Sequence, residues 1–135
     1  MRPIEFRAWD KDANQMIYLD FKNMNPHLSR LSVAWFADRI QDERAELMQF
    51  TGLLDKNGKK IFEGDIVKGK VGQEEVIGKI FYAANSAAFL LSTKNKHGVQ
   101  IALDPMSWLY VNWDSEEIGA EIIGNIYENP ELIGG

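Results

Sequence analysis

The chain has 135 residues, of which 45% are hydrophobic and 11% aromatic, with a formal net charge of −5 and no cysteine. That length buries a real core as one compact domain or as a small domain with an appendage, and the apolar content excludes intrinsic disorder. Without cysteine there is no disulfide framework and no thiol chemistry, and the acidic balance disfavours tight non-specific DNA binding.

The opening MRPIEFRAWD lacks the apolar run of a secretory signal. No stretch approaches the roughly 20 apolar residues of a membrane helix. A soluble, cytoplasmic protein is expected.

Ile4, Phe6 and Ala8 alternate with Glu5, Arg7 and Trp9, the period of a half-buried strand. Asp10 to Asn14 is a polar turn, and Met16 to Leu19 returns as the partner of an N-terminal hairpin. Phe21 to Arg30 reads as a loop. Leu31, Val33 and Trp35 alternate again and suggest a strand, followed by a short helix over Ala37 to Ala45. A single helix from Leu28 to Leu47 is the competing reading, and residues 28–47 stay open between strand and helix.

From Leu47 onward the pattern is β-rich. Leu47 to Phe50 and Lys60 to Phe62 flank Asp55-Lys56-Asn57-Gly58, whose Asn-Gly pair predicts a hairpin with both residues at φ > 0. Gly64 lets the chain bend before Asp65 to Lys70. Strands follow over Val76 to Tyr82, Ala88 to Ser92 and Val99 to Leu103, with Gly78 marking a bulge or barrel corner. Met106 to Trp113 reads as a strand or extended cover, and Glu121 to Tyr127 as the last strand, with Pro130 opening a terminal helical turn. Short strands about 8 to 12 residues apart indicate a sandwich or barrel. The expected fold is mainly β with minor α: an SH3-like small β-barrel over residues 47–135, preceded by an N-terminal β-hairpin and cover segment over 1–46.

Three stretches carry a resemblance: Met1 to Asp10 (MRPIEFRAWD), Gln49 to Val67 (QFTGLLDKNGKKIFEGDIV) and Ile123 to Leu132 (IGNIYENPEL). Together, in this order, they resemble the signature of the YopX-like family of phage and prophage proteins, and they span the whole chain. The resemblance implies a phage-derived protein and brings no enzymatic activity with it.

Several motifs invite a sharper reading. Gly52 to Lys60 imitates a phosphate-binding loop, but the spacing is one residue too long, and Lys60 stands where Ser or Thr would bind magnesium. Asp10, Asp12 and Asn14 match the first ligands of a calcium loop, but Gln15 and Phe21 occupy the positions of its glycine and closing glutamate. His27 and His97 have no neighbour at metal-ligand spacing. No serine sits in a nucleophile elbow. Glu63 and Asp65 flank Gly64 and could act as paired carboxylates, although Asp65 as an acceptor for backbone amides in the bend is the plainer account. Catalytic residues, cofactor and metal are all read as none.

Two features point to partners. Lys56, Lys59, Lys60, Lys68 and Lys70 form a basic run, whereas residues 114–131 hold six carboxylates and no base. Such asymmetry suits a solvated face, a second copy or a charged partner. Trp9, Trp35, Trp108, Trp113, Tyr82, Tyr110 and Tyr127 exceed what a small core requires. Trp108, Tyr110 and Trp113 lack nearby bases, which favours protein contact over base stacking. The expected function is a non-enzymatic accessory protein that assembles with itself and contacts a phage or host protein, with no membrane role. The alternative is a nucleic-acid-binding barrel using the lysine run.

Overall fold

The computed structural model describes residues 4–19, 33–71, 74–105, 110–112 and 117–134. The chain divides into two units, Met1–Phe50 and Thr51–Gly135. No helix among the described residues is long and apolar enough to cross a membrane.

In the first unit, β1 (Phe6–Asp10) pairs antiparallel with β2 (Gln15–Leu19), Phe6 opposite Leu19 and Asp10 opposite Gln15. The other edge of β1 pairs with the first half of β3 (Ala45–Leu54), Phe6 opposite Gln49. Alternation places Ala8, Leu19 and Ala45 in a small buried cluster, against which Phe6, Ile17 and Ile40 pack. The hairpin is where the sequence pattern puts it. Its second face differs from simple alternation, because Arg7 is buried as well, at 3% exposure.

Residues 33–41 are helical, not extended: α1 runs Val33–Gln41, so Val33 and Trp35 belong to a helix and not to the expected strand, whose Leu31 lies outside the described residues. Alternating apolar residues are ambiguous over so short a window. Burial of Ile40 against the hairpin and a guanidinium in the last turn, where the helix dipole favours it, support the helical state. The helix also stops before the expected Ala45. Arg44 N–H donates to Arg39 O and Glu43 N–H to Ile40 O, with Glu43 at φ 58. This left-handed end is usually marked by glycine, and here a glutamate occupies it. The expected loop over Phe21 to Arg30 lies outside the described residues.

The second unit is a small SH3-like β-barrel built around a curled five-stranded antiparallel sheet. The sheet order is β11-β5-β6-β7-β8, formed by β5 (Asp65–Val71), β6 (Glu74–Ala83), β7 (Ala88–Lys94), β8 (Gln100–Leu103) and β11 (Glu121–Asn125). The last residues of β3 pair with β4 (Lys60–Phe62), and β9 (Tyr110–Asn112) pairs with β10 (Glu117–Ile118). Ile61, Val67, Ile80, Leu91 and Ala120 form the core, closed by Leu53, Val76, Phe89, Leu103 and Ile122. A 3-10 turn over Pro130–Ile133 ends the chain's described part, with proline at its start.

Of the bulge or barrel corner expected at Gly78, the bulge is absent from the β5–β6 ladder, which runs through it without a shift, Val67 opposite Gly78. A Cβ at Gly78 would stand 2.2 Å from the Ser92 carbonyl oxygen. The glycine admits the neighbouring backbone, which also lets Thr93 Oγ1 donate to Ile77 O at 2.7 Å.

Candidate functional site

The residues that the three motifs share are turn locks. Asp55 shows this most fully. Its Oδ1 accepts the Asn57 and Lys59 amides at 2.8 and 2.9 Å, and its Oδ2 accepts the Ile122 amide at 3.1 Å. Gly58 N–H donates to Asp55 O, and Asp55 N–H to Lys59 O. Only Gly58 takes positive φ, at 80°, so Asn57 does not adopt the left-handed conformation expected of a two-residue Asn-Gly turn. The loop is the three-residue kind, a turn followed by one left-handed glycine.

The same turn recurs forty residues on. Asn95 Oδ1 accepts the His97 and Val99 amides at 2.9 and 3.0 Å, Asn95 N–H donates to Val99 O, and Gly98 has φ 77. His97 is thereby an exposed turn residue. Asp/Asn-Lys-x-Gly at 55–58 and 95–98 was the readable signal. What sets Asp55 apart is its burial, at 3% exposure, and its bond to Ile122.

The second and third motifs meet on adjacent strands, Asp65 opposite Asn125 and Ile66 opposite Gly124. Asp65 is buried and accepts the Phe62 amide on Oδ2 at 2.8 Å, while Gly64, at φ 84, donates to Ile80 O and accepts from the Ile126 amide. Glu63 is half-buried in the same turn. Asn125 Oδ1 accepts the Tyr127 and Glu128 amides, and Asn129 Oδ1 accepts the Asn125 amide. Gly124 leaves room for that last contact, because a Cβ there would lie 2.5 Å from Asn129 Oδ1. Gly124→Ala is expected to cost about 1–2 kcal/mol, since the displaced Asn129 amide leaves a backbone donor unpaired. A urea titration checks this, and an unchanged midpoint would show that Asn129 adapts freely.

In the first unit Asp10 plays the same part. Its Oδ1 accepts the Asp12 and Ala13 amides, and Arg39 Nη1 donates to it at 3.2 Å and to Asp12 at 3.3 Å. A guanidinium therefore stands against the carboxylates that imitate a calcium loop. No group of three or more potential ligands forms a metal site among the described residues.

The lysine run is exposed but not uniformly positive. Lys56, Lys59 and Lys60 lie on the β3–β4 turn and β4, and Lys68 and Lys70 on β5. Lys56 pairs with Glu121 at 3.4 Å, and Lys68 with Glu75 at 3.5 Å. Glu121 also lies opposite Lys68 in the ladder. Part of the acidic segment thus meets part of the basic run within one chain.

Of the aromatic candidates, Trp108, Trp113 and the Tyr110 side chain lie outside what is described, as does His27; the Tyr110 backbone opposes Ile118 in the β9–β10 pair. Tyr82 is 47% exposed and packs edge-on against Phe89 at 5.3 Å, and Tyr18 is 60% exposed. A groove of about 700 Å³ crosses β6 and β7 beside the terminal turn, lined by Ile77, Lys79, Lys94, Gln100, Leu132 and Ile133 among others. Nothing in the linear sequence joins these residues.

Protein EF1440 from Enterococcus faecalis has a similar solved structure, with 27% identity and a TM-score of 0.55 over 96% of this chain and 97% of that one. Protein yopX from Bacillus subtilis shares the fold, with 18% identity and a TM-score of 0.54 over 98% of each chain. Among curated proteins none matches. The profile of the YopX protein family matches residues 5–134, taking in nearly all of the three motifs and the strands between them: the chain belongs to the YopX family.

Proposed function

We propose that this YopX-family chain is a non-enzymatic accessory protein of phage or prophage origin, cytoplasmic, that assembles with copies of itself and contacts a phage or host protein. The observation that carries this reading is how its motif polar groups are used. Asp10, Asp55, Asp65 and Asn125 each hold backbone amides of their own turns. A carboxylate engaged in this way stabilises a bend and is poorly placed for acid–base work. Recognition then falls to apolar side chains such as Tyr18, Leu54, Tyr82 and Val99, each at least 46% exposed. Strands β2 and β8 end their sheets and offer edges for pairing. The ion pairs of Lys56 and Lys68 weaken the alternative of a phosphate-binding face.

Light-scattering mass across micromolar concentrations is expected to give a multiple of the chain mass; a monomer throughout would remove self-assembly from the reading. Labelled single- and double-stranded DNA and RNA, tested by anisotropy on the same sample at low salt, are expected not to bind. Salt-sensitive binding abolished by Lys59→Glu with Lys60→Glu would replace the proposal with the nucleic-acid alternative.

A further inference from the structure

The groove across β6 and β7 combines features that point to one class of ligand. Ile80 and Leu91 oppose each other on the core face, so Lys79 and Ser92, one residue away on each strand, oppose each other on the outer face. Lys94 lies two residues beyond Ser92 on β7, opposite Gln100 on β8, and lines the groove together with Ile77 and Lys79. Lys79 and Lys94 are thus both exposed and line one groove. Neither makes an ion pair among the described residues. The one acidic residue in the lining, Glu75, pairs with Lys68 at 3.5 Å. Beside the two ammonium groups lie exposed apolar side chains: Ile77 at 40%, Leu132 at 38% and Ile133 at 36%. Gln100 Nε2 donates to Ser92 Oγ and fixes the floor between them.

We propose that this groove docks an acidic, aliphatic peptide segment of a protein partner, its carboxylates on Lys79 and Lys94 and its apolar side chains against Ile77, Leu132 and Ile133. Charge complementarity selects the acidic sequence, and the apolar wall distinguishes a peptide from a bare polyanion. The proposal rests on the reading of this chain as a protein-interaction module and names one partner chemistry for it. It does not require self-assembly.

The test uses the full chain and a fluorescein-labelled twelve-residue peptide alternating Asp or Glu with Leu or Ile, read by anisotropy. Binding is expected to weaken about tenfold in Lys79→Glu with Lys94→Glu and to fall steeply with added salt, as exposed charge pairs are screened. Ile77→Ser is expected to weaken it as well, and Lys59→Glu, away from the groove, to leave it unchanged. Circular dichroism on each variant separates lost binding from lost fold. No binding, binding indifferent to the Lys79 and Lys94 reversals, or equal binding by an acidic peptide whose Leu and Ile are replaced by Ser would overturn the proposal. Displacement of the peptide by single-stranded DNA at lower concentration would also overturn it and assign the face to polyanions. Light-scattering mass of the same samples keeps the outcomes apart: an oligomer that ignores the peptide leaves the self-assembling module intact without this groove.

Discussion

Asp55→Ala is expected to lower the unfolding free energy by about 3–5 kcal/mol, since it strips the acceptor from three backbone amides, each costly to leave unpaired in a buried place. The amides are those of Asn57, Lys59 and Ile122, and the side chain that holds them is 3% exposed. Two of these bonds shape the hairpin turn, whereas the third ties the turn to β11, sixty-seven positions along the chain. Asp55→Asn separates the two contributions. Its amide keeps one acceptor for the turn but turns a donor towards one of the three amides, so a loss of about 1–3 kcal/mol is expected. Asn95→Ala, in the matching turn without a third bond, is expected to cost only about 1–2 kcal/mol. Urea titrations of the three variants with unchanged slope give these differences directly. Equal losses for Asp55→Ala and Asn95→Ala would show that the bond to Ile122 contributes nothing.

Gly78→Ala is expected to cost roughly 2–4 kcal/mol, at or above the usual range for forcing a methyl into packed space. The atom it meets is the Ser92 carbonyl oxygen, 2.2 Å from the ideal Cβ, and backbone within a ladder cannot swing aside as a side chain can. Relief requires β6 and β7 to separate, which also breaks the Thr93 Oγ1 bond to Ile77 O. Gly58→Ala is the control. It has positive φ but nothing within 4 Å of its Cβ, so it is expected to cost only the left-handed penalty of about 1–2 kcal/mol. Amide hydrogen exchange should show Gly78→Ala weakening protection along β6 and β7 while leaving β1 and β2 unchanged. Uniform loss in both units would mean that they unfold together.

The misreadings fall where a local pattern had two solutions. Leu31, Val33 and Trp35 satisfy a strand over three positions, but the chain from Val33 is helical because Ile40 finds its burial against the hairpin. The helix end was hidden because Glu43 takes the left-handed position that glycine usually marks. Asn57-Gly58 was a correct hairpin signal attached to the wrong turn, since both a two-residue and a three-residue loop accept glycine there, and Asp55 decides between them by holding two amides.

Sequence by itself determined the mainly β class, the N-terminal hairpin and the short strands of the barrel, because turn chemistry and residue alternation act over a few positions and leave a direct trace in the order of residues. The family was carried by the resemblance of three motifs. Tertiary structure alone decided which distant groups meet: Asp55 with Ile122, Gly78 with Ser92, Lys56 with Glu121, and Lys79 with Lys94 on one groove. Each of those encounters depends on strand register, and register is set by the packing of the whole sheet rather than by any one segment.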